Sequence, residues 1–489
     1  MKDFFLLMPE IVLALTMAFV VAGEITYYGE QVRLITATSL LGLAGTFVQT
    51  VISYQYGASR IFGGALSIDG FSLFFKLLFT ISAALTIASV SHTREINAER
   101  RSEYCALVLS STLAMCLLAS AADVILIFLS MLFLNVISYF LAAYGPRSVT
   151  STEAAVKYLT FGSVASALLL YSLAILFAST HSINIYEMHK ALMANPLQPK
   201  VMLVVFVLAF LALSFQVGAF PMYLLVPDVL EGAPTPVSAF LSLGSRAAGF
   251  AVAIRFLVVV FAQPGASAGQ WQVLGGVDWT EIVSVVSGLT MIIGALLAYR
   301  QSGAKRMVGY LVVVQTGFLL MGLLVLDEVG IAALLYNLVI ELFALMGSFY
   351  VLAFLVDEVH SDRLENLRGM MKRAVPECIC LVIFLLNLVG SPPMPGFIGK
   401  FTLIGVAIRH HRLALAMVSI FSMVISTVAV ARLAYFLIGD FQKPMASPFA
   451  ASFSRKAFLT ALVLPMALVG IFADFVFRWA GQSLGFIFW

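Results

Sequence analysis

Charge is scarce in this chain. Asp, Glu, Lys and Arg together make up 11% of its 489 residues, whereas 61% are hydrophobic. Ordinary soluble domains carry about a quarter charged residues, so this composition excludes a soluble enzyme and leaves almost no room for a soluble domain. The formal net charge of +3 is spread along the loops, without the basic stripe that a nucleic-acid partner requires. Cysteine is scarce too: Cys105, Cys116, Cys378 and Cys380 lie within or beside apolar runs. Cys378 and Cys380 are two apart in an expected helix and point to nearly opposite faces. Neither a disulfide framework nor a chelate follows; buried, inert thiols do. Also missing are a Walker loop, a dinucleotide fingerprint after a strand, an HExxH helix and a cysteine cluster. The chain is therefore expected to bind no cofactor or metal and to carry no redox chemistry of its own.

What the chain has is apolar stretches near the length needed to cross about 30 Å of hydrocarbon. They predict spans near 4–23, 34–54, 68–91, 104–120, 122–143, 154–178, 201–224, 236–262, 280–299, 306–326, 329–355, 376–407, 413–438 and 457–479. The opening segment has a weak charged flank and no clear cleavage site, which predicts a retained first span. The fold class is thus an all-α polytopic membrane protein with about fourteen transmembrane helices. Loops after odd-numbered spans hold Arg33, Arg94, Arg100, Arg101, Arg147, Arg300, Lys305, Arg306, Arg363, Arg368, Lys372, Arg373, Lys443, Arg455 and Lys456. The other loops and the termini hold only Lys2, Arg60, Lys190, Lys200, Arg409, Arg412 and Arg478. Positive charge stays inside, so the first set is expected to face the cytoplasm and both termini the opposite side.

Two apolar segments are broken by proline: Phe215 to Phe240 (FQVGAFPMYLLVPDVLEGAPTPVSAF) and Leu386 to Phe401 (LNLVGSPPMPGFIGKF). Such breaks are tolerated in a membrane only where they line a protein-buried or wetted cavity, and a pair of them points to a transport site. They fall five spans apart, an odd offset that reverses direction across the membrane. That predicts two inverted five-helix repeats. The expected segments are N-terminal helices at 1–103, a first half at 104–262 with its break near 215–236, a second half at 280–438 with its break near 386–401, and a C-terminal helix at 457–489.

Polar residues inside these spans are the candidate functional groups. Lys400 lies far from either loop, and a cation at that depth costs a few kcal/mol on insertion scales, so a functional role is the default. Snorkelling to the interface is the bland alternative. A desolvated lysine can titrate, as a proton relay requires. Arg246 lies about ten residues into a helix that is expected to start with Thr235 as cap and Pro236 in its first turn, about 15 Å deep. It keeps its charge at any relevant pH, so a fixed electrostatic role fits it better than a relay. Asp123 begins the fifth span, where it either caps the helix or pairs with a cation, and capping is the stronger expectation. Glu153 and Lys157 stand four apart in the favourable order for a helical pair. They are either cytoplasmic anchors or part of a proton path. Glu341 is an isolated carboxylate deep in the eleventh span, either neutral and hydrogen-bonded or functionally titrating. Arg255, Arg432 and Asp474 are expected to reach helix ends or protein partners.

Four segments resemble subunit N of the proton-pumping NADH–quinone oxidoreductase, respiratory complex I. FPMYLLVPDVLEGAPTPVSAFLSLGSRAAGFAVAIRFL (Phe220 to Leu257) is similar to the family's PDVYEGAPTPV…FLSxxSKAAGF block. STEAAVKYLTFGSVASALLLY, AKRMVGY and GSPPMPGFIGKF also match. The resemblance runs from about the fourth span to the thirteenth. It implies about fourteen helices in two inverted bundles, whose broken helices meet a midplane chain of charged and polar residues. It also implies a bacterial inner membrane, neighbouring antiporter-like subunits as partners, and NADH, FMN, iron–sulfur clusters and quinone bound by other subunits. This sequence departs from the family at most proton-path positions. The fifth-span glutamate falls on Leu132, the seventh-span lysine on Gln216, the eighth-span lysine on Arg246 and the tenth-span histidine on Gln315. Lys400 remains as the family has it. Asp123 matches the acidic residue that starts the fifth span, and Glu341 replaces a residue that is usually uncharged. Losing the glutamate and the Gln216-position lysine together removes one negative and one positive charge from the same region. The expectation is a non-redox proton-translocating subunit whose first half is wholly or partly silent. A structural spacer, or a subunit of a membrane-bound hydrogenase or multi-subunit cation/proton antiporter, is the alternative.

Overall fold

The computed structural model describes residues 2–27, 32–93, 95–145, 149–265, 269–274, 277–439 and 453–485. Arg94, Arg147 and Lys443 of the loop-charge argument, and residues 486–489 of the last segment, lie outside the described residues.

Each predicted span lies mainly on helix, but 201–224 is interrupted after Val217 and 376–407 after Val389. The helices that carry the architecture are α1 (Met8–Tyr27), α2 (Val32–Ser53), α3 (Gly70–Val90), α4 (Arg101–Ser120), α5 (Val124–Ala142), α6 (Val149–Thr180) and α7 (Pro199–Val217). They continue as α8 (Thr235–Phe261), α9 (Trp279–Arg300), α10 (Ala304–Leu324), α11 (Glu328–Val359), α12 (Val375–Val389 and Pro395–Arg409), α13 (Leu413–Ile438) and α14 (Phe453–Ile471). Among the described residues, twelve helices are long and apolar enough to cross a membrane; α1 and the two short halves of α12 are the predicted spans outside that set. Two small antiparallel hairpins stand in the loops, Ser59–Ile61 with Leu66–Ile68 and Ala262–Pro264 with Trp271–Val273. They adjoin the start of α3 and the end of α8.

The centre of the bundle is α8, α10 and α11. The most apolar windows of α8 and α10 are buried on all sides, and that of α11 nearly so. In lipid such helices are held by close packing and interhelical hydrogen bonds rather than by hydrophobic transfer. α8 is not a uniform helix. Residues Leu241–Ser245 and Ile254–Val258 adopt π geometry, which frees backbone groups locally and often marks functional positions.

The two proline breaks are built alike. α7 ends at Gly218 and the first half of α12 ends at Gly390, both with positive φ, at 76° and 82°. In each, the glycine and the next residue turn their N–H groups back onto one carbonyl, Ser214 in the first break and Leu386 in the second. Only glycine adopts that left-handed cap without a Cβ penalty. After the first break the short helix Leu225–Gly232 precedes α8; after the second, Pro395 opens the remaining half of α12.

One local expectation is corrected. Thr235 is not the cap of α8, because Pro234 occupies that position and Thr235 is already helical. The carboxylate of Glu95 caps instead, accepting from both the backbone N–H and the hydroxyl of Thr235, while Lys305 Nζ reaches Glu95 at 3.3 Å. An anion at a helix N-terminus opposes the positive end of the macrodipole, so a distant carboxylate does what a local side chain was expected to do.

Candidate functional site

The midplane charges meet across three helices. Arg246 of α8 and Glu341 of α11 form a buried ion pair, and Arg246 Nη1 also donates to the carbonyl of Val312 in α10 at 3.1 Å. Lys400 does not pair with Glu341. Its Nζ donates to the carbonyls of Leu388 and Val389, both at 2.6 Å, and lies 4.7 Å from the centre of the Phe318 ring. It remains near enough to Glu341 for the two charges to interact. Leu388 and Val389 end the first half of α12, where helical carbonyls have no intrahelical partner. Lys400 therefore reaches back across the break and ties its two halves together through Nζ.

Close approach makes this geometry. A Cβ on Gly396 would lie 2.0 Å from the carbonyl oxygen of Asn387, whose side chain accepts from the Gly396 N–H at 2.7 Å. The glycines of PGFIGKF thus let the second half of α12 seat against its neighbours.

The first break is satisfied differently. Gln216 and Val217 precede Gly218 as Leu388 and Val389 precede Gly390. Here the carbonyl of Val217 accepts from the hydroxyl of Thr316 at 2.8 Å, and Gln216 Nε2 donates to Ser245 Oγ at 2.9 Å. An amide and a hydroxyl stand where the second break has a lysine. A small cavity of about 50 Å³, lined among others by Tyr158, Gln216, Ser245 and Arg246, joins this break to the midplane pair.

The remaining sequence candidates separate. Gln315 is buried in α10, and neither of its side-chain polar atoms has a partner among the described residues. Leu132 is 39% exposed and lines an outward groove of about 600 Å³ between α5 and α6, with Asn135 and Tyr139. Asp123 takes no part in the cluster: it caps α5, accepting from the Ile125 N–H at 2.8 Å. Glu153 pairs with Lys157 at 2.8 Å, and Lys157 with Asp228 at 2.9 Å. Arg306 adds contacts to Asp228 and Glu231 at 3.0 and 2.9 Å. These groups line a charged cavity of about 540 Å³ at the face where α6, α8 and α10 begin. Arg432 donates to the carbonyls of Tyr299 and Gln301 at the end of α9, and Asp474 pairs with Arg478 on its own helix.

Sequence reasoning missed Glu10 and Lys76, a fully buried pair 2.6 Å apart between α1 and α3. The depth argument that singles out Lys400 applies equally to the lysine in GFSLFFKLLF. It also left Asp69 without a role; this residue is the partner of Arg255. No group of three or more His, Cys, Asp or Glu side chains among the described residues is placed to hold a metal ion.

Comparison with known proteins adds names to this geometry. Residues 121–426 match the family described as NADH:quinone oxidoreductase/Mrp antiporter, TM. NADH-quinone oxidoreductase subunit N of Chlorobium chlorochromatii is 34% identical over 424 residues, covering 86% of this chain and 82% of the relative. Among solved structures, a chain of respiratory complex I from Thermus thermophilus with bound aureothin superposes with a TM-score of 0.77 at 24% identity, covering 96% of this chain and 98% of that one. A chain of the membrane-bound sulfane sulfur reductase, an archaeal respiratory membrane complex, has a TM-score of 0.85 at 21% identity, covering 99% and 98%. At such identities the structural likenesses establish the fold alone.

Proposed function

Since the chain belongs to the NADH:quinone oxidoreductase/Mrp antiporter transmembrane family, we propose that it is the subunit-N-like, non-redox membrane subunit of a proton-translocating NADH–quinone oxidoreductase. NADH, FMN, iron–sulfur clusters and quinone belong to its partner subunits, and neighbouring antiporter-like subunits flank it in the bacterial inner membrane. Both termini lie on the non-cytoplasmic side, and the matching glycine caps support two inverted repeats.

The observation that carries the reading is Lys400 lying across its break beside the Arg246–Glu341 pair. Arg246 is permanently charged, so Glu341 always has a counter-ion. Lys400 is the member of the cluster that can change charge, and as an ammonium or an amine it still has N–H groups for the carbonyls of Leu388 and Val389. At the first break Gln216 and Thr316 supply hydrogen bonds but no titrating group. The second half works as the proton path and the first is wholly or partly silent. The charged cavity at Glu153, Lys157, Asp228 and Arg306 is the cytoplasmic approach.

The test is proton uptake per NADH oxidised in the assembled complex in liposomes. Lys400→Ala is expected to lower it and Gln216→Ala to leave it nearly unchanged. Equal losses would sink the silent-half reading. Unchanged uptake in Lys400→Ala would favour a structural spacer.

A further inference from the structure

Two buried ion pairs share α3, and they are built in opposite ways. Asp69, at its start, is held on every side. Its carboxylate accepts from both terminal nitrogens of Arg255 at 2.8 Å, from Ser67 Oγ at 2.9 Å and from the Ser72 N–H at 2.8 Å. Tyr186 OH takes a further Arg255 hydrogen at 3.1 Å. This is a clasp: geometry and hydrogen bonds offset the desolvation of both charges.

Lys76 and Glu10 have none of that support. Both are essentially inaccessible, at 0% and 4% exposure, with Nζ 2.6 Å from Oε1. Yet the contact is not aligned as a hydrogen bond, and none of Nζ, Oε1 and Oε2 has a hydrogen-bond partner among the described residues. A buried pair with no supporting hydrogen bonds does not recover the several kcal/mol lost in desolvating each ion, so stability is a poor reason for it. Ionisable groups retained inside a membrane without a structural return are functional by default.

Their position fits a path. Lys76 lies about 10 Å along α3 from the Asp69 end, and Arg246 lies about 13 Å along α8 from Arg255, in the same inward direction. The pair therefore sits at nearly the depth of the midplane cluster, about two turns in from the membrane face at which α3 begins. α4 packs against α1, α3 and α8, and its Met115 lies against Gly244 of the π segment that ends in Ser245.

We propose that Glu10 and Lys76 are a second proton-exchanging pair of this subunit, outside both broken helices. The step is a transfer of one proton from Nζ to Oε1, which turns an ammonium and a carboxylate into an amine and a carboxylic acid. The reverse transfer restores the charges. This rests on the reading of the chain as a proton-translocating subunit.

Uptake of protons per NADH oxidised by the assembled complex in liposomes tests it, with NADH oxidation by a water-soluble acceptor as the control for intact partners. Glu10→Gln, Lys76→Met and the double variant Glu10→Leu/Lys76→Leu are each expected to lose proton uptake while that control stays normal. The double variant is decisive because it leaves no unpaired buried charge. Uptake at the unsubstituted level in the double variant overturns the proposal and makes the pair purely structural. If the double variant does not assemble, Glu10→Asp decides, since it keeps both charges but retracts the carboxylate: slowed uptake supports the exchange, an unchanged rate overturns it. Lys400→Ala separates the two levels. A normal value there removes the underlying reading, whereas a loss there with a normal Glu10→Leu/Lys76→Leu variant removes only this proposal.

Discussion

Arg246 and Glu341 depend on each other more than on anything else around them. Removing one partner of a buried pair leaves an uncompensated charge, at a cost of about 3–5 kcal/mol, whereas removing both costs less. Arg246→Ala should therefore depress the thermal midpoint of the purified complex strongly, and Arg246→Ala/Glu341→Ala should recover part of the loss. Strictly additive losses in this cycle would show that the two side chains do not meet. The sequence marks both residues as anomalous, because a charge inside an apolar run needs no alignment to be noticed. It does not reveal that they are partners, nor that Lys400 turns to backbone carbonyls instead of Glu341. Those choices depend on which helix faces lie side by side.

The broken helix α12 works as an element because its second half can approach Asn387 and Asn337 so closely. A methyl group at Gly396 meets a backbone oxygen that cannot move aside, and overpacking of that kind costs about 1–3 kcal/mol or more. Gly396→Ala is expected to displace Lys400 from Leu388 and Val389 and to lower both complex yield and proton uptake. Gly405→Ala, on the same half-helix with open space around its Cβ position, is the control and should be neutral. Equal effects at the two glycines would refute the close-approach argument. The breaks themselves were legible from Pro221, Pro234, Pro392 and Pro395, since a proline's missing donor is a local property. The cap of α8 was not: Thr235 has the right chemistry for a cap, but Glu95 arrives from the α3–α4 connection and takes the position's function.

At the scale of the whole molecule, the loop charges make a claim about sidedness. Arg363 and Lys190 are both exposed, on loops expected at opposite membrane faces. A membrane-impermeant thiol reagent should label Arg363→Cys from the cytoplasmic side and Lys190→Cys from the other, in a background where the native cysteines are replaced. The reverse pattern would invert the orientation and move the charged cavity at Lys157 and Arg306 to the opposite compartment. Membrane residence, the helical segments, the two broken elements and the charges inside them can all be read along the chain. Hydropathy, proline and charge all act over one or two turns of chain. How those charges are used depends on packing: Lys400 bridges its own break, Thr316 and Gln216 make the other break neutral, Asp69 is clasped and Glu10–Lys76 is left bare. These are contacts between helices far apart in the chain, and in an apolar medium lateral packing, not sequence position, selects which polar groups meet.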